Sequence, residues 1–226
     1  MSRFVALEFR PGEHARLYVP EAAAPHRAGA VVFHPWWGLN QDVLDFADRL
    51  AGEGFAVVAP DLFGGRVEST IEGAQDAADA ADRTVVGAIV LAAVDWLAAR
   101  LDTGAGVAVL GFSYGAAWSI WAPTRRPGLR ATVVYYGTWT GPVIAAASVP
   151  VLGHFAERDP YEPAEGVAEF ETALREANRE TEIYRYPGTG HWFAEPGRAD
   201  AYDAPAAELA FARTLAFLHA RLDGND

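Results

Sequence analysis

The 226-residue chain contains no cysteine and no lysine, so all 18 of its basic residues are arginine. The first absence excludes disulfides, thiol nucleophiles and thiolate metal sites together. The second excludes Ser–Lys catalysis, Schiff-base chemistry and the lysine of a phosphate-binding P-loop. Cations are also outnumbered, because 30 acidic residues leave a net charge of −12. Nucleic-acid backbones are bound by clustered cations, so no nucleic-acid partner is expected. No apolar run approaches the roughly 20 residues of a membrane span, and the longest apolar helical stretch, Val85 to Leu101, is broken by Asp95. The opening residues Met1-Ser2-Arg3-Phe4-Val5 carry no apolar signal core. A cytoplasmic protein without a membrane partner is the expectation, as a monomer or small homo-oligomer.

What remains is an apolar share of 51%, enough for the core of one domain over residues 1–226. Phe4-Phe9 and Arg16-Val19 read as strands separated by Pro11-Gly12. Ala30-Phe33, Phe55-Val58, Gly106-Leu110, Ala131-Tyr136, Val149-Phe155 and Glu182-Tyr186 are short apolar or β-branched runs of the kind buried in parallel sheets. Between them lie helical patterns at Gln41-Glu53, Ile71-Arg100 (interrupted near Arg83-Thr84), Ala116-Ala122, Pro163-Asn178 and Ala204-Leu222. Strands alternating with helices at this spacing predict a doubly wound, mainly parallel α/β sheet.

One pentapeptide carries most of the functional signal. Gly111-Phe112-Ser113-Tyr114-Gly115 stands between a buried strand and a helix. A serine there is held on a strained turn above the sheet, and the flanking glycines let strand and helix approach. Ligand sites in such sheets lie beyond the carboxyl ends of the strands. Asp159 follows the run Val149-Phe155, and His191 follows Glu182-Tyr186. The order Ser, Asp, His is that of the α/β-hydrolases. The chemistry needs all three types: an imidazole to take the hydroxyl proton, and a carboxylate to fix the imidazole tautomer. Glu157 competes with Asp159 for the carboxylate role, although Asp159 lies deeper in the loop. Two N–H donors are needed for an oxyanion, and Tyr114 and Trp36 stand at the right places to offer their backbone amides; Pro35 cannot donate. His34 and His154 also end strands, but no metal-ligand spacing joins them to His191, and no metal or cofactor is expected. Trp36, Trp37, Trp139 and Trp192 fall near these loops and suggest an aromatic-walled pocket, whereas Trp118 and Trp121 serve equally well as helix packing.

His34-Pro35-Trp36-Trp37-Gly38-Leu39-Asn40, Ala59-Pro60-Asp61-Leu62-Phe63, Gly111-Phe112-Ser113-Tyr114-Gly115-Ala116, Tyr135-Tyr136-Gly137, Glu157-Arg158-Asp159 and Gly190-His191-Trp192-Phe193 together resemble the dienelactone hydrolase family over nearly the whole chain. The resemblance implies an α/β-hydrolase fold with no large cap domain, and metal-free cleavage of small-molecule esters or lactones through an acyl-enzyme. It implies Ser113, Asp159 and His191 as the triad, with Trp36 and Tyr114 at the oxyanion. It also brings departures. Founding members carry cysteine at Ser113 and glutamate at Pro35, and they grip a substrate carboxylate with arginines. Glu195 occupies one arginine position and Arg66 lies near the other, which implies a neutral ester or lactone over an anionic one. Thioester hydrolysis, acyl transfer, true dienelactone hydrolysis and a silent ligand-binding fold are the alternatives.

Overall fold

Eight strands form one sheet in the order β1-β2-β4-β3-β5-β6-β7-β8 in the computed structural model, which describes residues 2–21, 28–146 and 149–222. The antiparallel edge is made by β1 (Arg3–Arg10) and β2 (Glu13–Val19), and β2 pairs antiparallel with β4 (Ala56–Pro60). From β4 onward all pairs are parallel, through β3 (Ala28–Phe33), β5 (Gly106–Phe112), β6 (Leu129–Tyr135), β7 (Val151–Arg158) and β8 (Thr181–Gly190). This is the α/β-hydrolase architecture expected from the alternation of elements.

Period-2 alternation in the central strands decides which helices cover which face. Ala30 and Val32 of β3, with Ala108 and Leu110 of β5, pack against α1 (Gln41–Gly52) and α7 (Ala204–Leu222) through Val43, Leu50, Phe211 and Leu218. Val31, Phe33 and Val109 turn the other way, onto Val86, Val90 and Val94 of α3 (Arg83–Ala98). On that second face α4 (Tyr114–Trp121) and α6 (Ala164–Glu176) continue the layer, with Ile120, Val167 and Phe170 against Val134 and Phe155. Burial on both faces explains why these strands read as unbroken apolar runs.

Helix starts follow side-chain chemistry. The Asn40 carboxamide caps α1 at the Val43 N–H, 3.3 Å away. The interruption expected near Arg83-Thr84 falls slightly earlier. There α2 (Ile71–Ala80) ends, and Asp82 caps α3 by accepting from Thr84 and Val85 at 2.7 and 3.3 Å. One helix was not foreseen, α5 (Pro142–Ala146), whose five residues are too few to show a period. No helix among the described residues is long and apolar enough to cross a membrane.

Strand order reverses direction of growth between β3 and β5, which pair from Ala28–Gly106 to Phe33–Gly111. A crevice opens beyond the carboxyl ends of strands at such a switch point. The loop after Phe33 and the turn after Phe112 therefore meet.

Candidate active site

Ser113 sits on the turn from β5 to α4 with φ 47° and ψ −110°, backbone that a non-glycine residue adopts only under strain. The surroundings hold it there. Its N–H donates to the Tyr135 carbonyl at 2.9 Å, and its carbonyl accepts from Ala116 N–H at 2.9 Å. A Cβ on Gly111 would collide with the Gly115 carbonyl, and one on Gly115 would collide with the Phe33 carbonyl. Only glycine lets α4 descend onto the ends of β3 and β5.

Three loops converge on this serine. His191 Nε2 lies 3.1 Å from Ser113 Oγ, and His191 Nδ1 lies 2.6 Å from Asp159 Oδ2. Both partners of the second contact are almost fully buried, with side-chain exposures of 3% and 1%. The other Asp159 oxygen, Oδ1, accepts from the N–H groups of Tyr161 and Glu162 at 2.9 and 3.0 Å. The carboxylate is thus held by backbone on one side and aimed at the imidazole on the other. Glu157 is elsewhere: it is exposed and accepts from Gly188 N–H at 2.9 Å, bracing the β7–β8 edge. Rings of Tyr136 and Tyr161 flank His191, each with its centroid 4.9 Å away.

Trp36 and Tyr114, the residues expected to offer backbone amides, both lie beside Ser113. Tyr114 N–H belongs to the first residue of α4, where no preceding helical carbonyl can accept it. The loop of Trp36 passes over α4, as the closeness of Gly115 to the Phe33 and His34 backbone requires. Trp36, Ser113 and Tyr114 together line a cavity of about 490 Å³, completed by Trp118, Trp139, Arg83 and the α2 residues Gln75, Ala78 and Asp79. Among the described residues Arg83 forms no ion pair; its guanidinium lies 5.9 Å from the Trp139 ring centroid.

Several expected pocket residues lie outside this cavity. Trp37 is 1% exposed and packs under Trp36 and Trp192, with the Arg198 guanidinium 4.4 Å above its ring. Trp192 is likewise buried, against Trp37 and His191. Arg66 turns away to pair with Glu68 at 2.5 Å and borders a separate cavity beside Phe63 and Ala77. Glu195 is 2% exposed and accepts from the Tyr136 hydroxyl at 2.8 Å. Burial pushes its carboxyl up to about 8, so at neutral pH it is mainly an uncharged acid behind the site and repels nothing in the cavity. None of residues 64–73 lines this cavity, whereas Gln75, Ala78 and Asp79 of α2 do.

Sequence reasoning missed three residues: Arg83, Tyr161 and Glu162. Arg83 heads a helix whose facing depends on how α3 packs. Tyr161 edges onto Trp36 at 5.4 Å. Glu162 is raised by burial and accepts from Thr138 Oγ1 at 2.6 Å, with His191 near enough to counter the shift. His34 and His154 have both ring nitrogens engaged in separate interior networks. Among the described residues no group of three or more His, Asp or Glu side chains could hold a metal.

The profile of the dienelactone hydrolase family matches residues 14–222. A Bradyrhizobium sp. protein named "Probable 2-oxo-3-(5-oxofuran-2-ylidene)propanoate lactonase" is 31% identical over 94% of this chain and 92% of its own length. The crystal structure of a dienelactone hydrolase-like promiscuous phosphotriesterase from metagenomic libraries superposes with a TM-score of 0.82, at 24% identity, covering 98% of each chain. That likeness speaks for the fold.

Proposed function

Because the chain belongs to the dienelactone hydrolase family and is a hydrolase of ester bonds, we propose that it cleaves carboxylic esters or lactones through an acyl-enzyme on Ser113. The observation that carries this is the continuous chain Asp159–His191–Ser113, at 2.6 and 3.1 Å, opening on an aromatic-walled cavity.

In this reading Ser113 Oγ attacks the carbonyl carbon while His191 Nε2 takes its proton. Asp159 keeps the proton on Nδ1, so that Nε2 is free to accept, and it stabilises the imidazolium that forms. The tetrahedral oxyanion is received by the N–H groups of Trp36 and Tyr114, which are fixed before reaction begins. His191 then protonates the leaving alkoxide, and the acyl-enzyme remains on Ser113. A water molecule, deprotonated by His191, attacks in the second half and releases the acid. For a lactone, the leaving alkoxide stays tethered to the acyl group and both ends depart as one hydroxy acid. No step calls on a metal or cofactor.

The cavity favours a substrate with an apolar or aromatic body, since Trp36, Tyr114, Trp118 and Trp139 stand in its wall with Ala78, Ala81 and Ala117. The expectation of a neutral substrate drew on Glu195 facing the substrate and on a missing arginine. Glu195 lies behind the site, and the wall carries one charge of each sign, Arg83 and Asp79, so an acidic group at the far end of a substrate would be accepted only where it reaches Arg83.

A fluorophosphonate probe and a panel of p-nitrophenyl esters test the proposal. Labelling that maps to Ser113 and turnover that is lost on labelling support it. Unlabelled, active protein would refute it.

A further inference from the structure

His34 is fully buried, lies outside the triad, and is hydrogen-bonded at both ring nitrogens. Nε2 sits 3.0 Å from the Leu62 N–H, which can only donate, so Nε2 must be the lone-pair nitrogen. The proton is therefore on Nδ1, which lies 2.6 Å from the Pro35 carbonyl oxygen and donates to it. The same carbonyl accepts from Gly38 N–H at 3.1 Å. Peptide units are planar and trans, so C=O and N–H point in opposite directions. Two donors holding the Pro35 carbonyl thus fix the Trp36 N–H on the opposite side of the peptide, and Trp36 lines the same cavity as Ser113.

Phe63 locks the arrangement. Its ring meets the His34 ring edge-on at 4.8 Å and the Tyr114 ring at 5.1 Å. The loop that carries Trp36, the loop after β4 and the start of α4 are fixed to one another through these rings.

We propose that His34 is a positioning residue, which sets the Pro35–Trp36 peptide so that its N–H is aimed at the developing oxyanion. The inference rests on the reading of Trp36 as an oxyanion donor. It predicts that what matters is the donor at the Nδ1 position, more than the ring or its burial.

Three variants separate these contacts. His34→Asn places an amide NH₂ near the Nδ1 position and can still donate to Pro35. His34→Gln places its amide near the Nε2 position and can serve Leu62 while leaving Pro35 with one donor. His34→Leu serves neither. Steady-state kinetics on a p-nitrophenyl ester, thermal midpoints, and inhibition by an aryl trifluoromethyl ketone, which forms a tetrahedral adduct on serine, would be measured for each. The expected result is that Asn stays within about fivefold of wild-type kcat, while Gln and Leu fall by roughly 30- to 100-fold, somewhat less than outright removal of an oxyanion donor. KM should stay unchanged, and trifluoromethyl ketone affinity should fall by the same factor as kcat/KM. A loss of kcat that follows the thermal midpoint across all three variants, or one with unchanged ketone affinity, would overturn the proposal. Ser113→Ala, run alongside, keeps the two readings apart. If it retains turnover the hydrolytic mechanism itself is wrong, whatever the His34 variants do.

Discussion

The Tyr136 hydroxyl donates to Glu195 at 2.8 Å while the Tyr136 ring lies against His191. A buried carboxyl therefore sits one side chain away from the imidazole. Its pKa is raised to about 8, first by desolvation, with the negative charge of Asp42 adding to the shift and the Tyr136 hydrogen bond opposing it.

The sign of the resulting pH dependence follows from linkage. Between the ordinary carboxyl value of 4.5 and about 8, the unfolded chain has lost this proton and the folded chain retains it. The folded state then binds more protons, so stability falls as pH rises through that window and levels off above it. Glu195→Gln keeps an oxygen for Tyr136 and cannot ionise. Its thermal midpoint relative to wild type should climb by several degrees between pH 5 and pH 8, as read by calorimetry in matched buffers. A constant difference across that range would mean that Glu195 is already ionised in the folded protein.

Asp159 and Glu157 are two residues apart, and only one is built into the site. Asp159→Asn leaves the shape intact but offers His191 Nδ1 an amide donor, favouring the wrong tautomer, and kcat should fall by about 10⁴-fold. Glu157→Gln removes a surface charge and can still accept from Gly188 N–H through its amide oxygen, and kcat should stay within about twofold, because exposed charges of this kind contribute little. Steady-state rates on one activated ester decide between them.

Arg83 gives a prediction about selectivity. It shares the cavity wall with Asp79 and forms no ion pair among the described residues, so it should lower KM for esters whose carboxylate, at the end remote from the carbonyl, reaches Arg83 rather than Asp79. Arg83→Ala should raise KM for such an anionic ester about tenfold, just under the roughly 1.5–3 kcal/mol of a charge-assisted contact because Arg83 is solvent-exposed, and should leave a neutral ester of equal size unchanged. Equal effects on both esters would show that the arginine acts through packing against Trp139.

The contrast between Arg83 and Arg66 marks how far the sequence could be read. Strands β3, β5 and β7 are legible because burial on both faces makes them largely apolar runs, and the edge strand β8 by its β-branched and aromatic residues; the proposed triad follows because each of its members comes directly after one of β5, β7 and β8. Ser113 is legible from local sterics alone: two glycines at fixed offsets, each facing backbone where a Cβ would collide. Arg66 and Arg83 lie beyond the reach of such rules. Which one faces Ser113 depends on the break at Asp82 and on how α2 and α3 lie across the sheet. The family resemblance sets Glu195 beside the substrate, because it stands where founding members carry an arginine. However, Trp192 has φ 68°, which turns the chain so that Glu195 points inward to Tyr136.

The central claim is that an acyl group is carried on Ser113. Rapid acid quench of the enzyme with a slowly deacylating p-nitrophenyl ester, followed by intact-mass and peptide mass spectrometry, tests it most directly. The account predicts a mass increase equal to the acyl group, located on the peptide containing Ser113 and absent from Ser113→Ala. Turnover with no covalent species at any quench time, or undiminished turnover in Ser113→Ala, would contradict it.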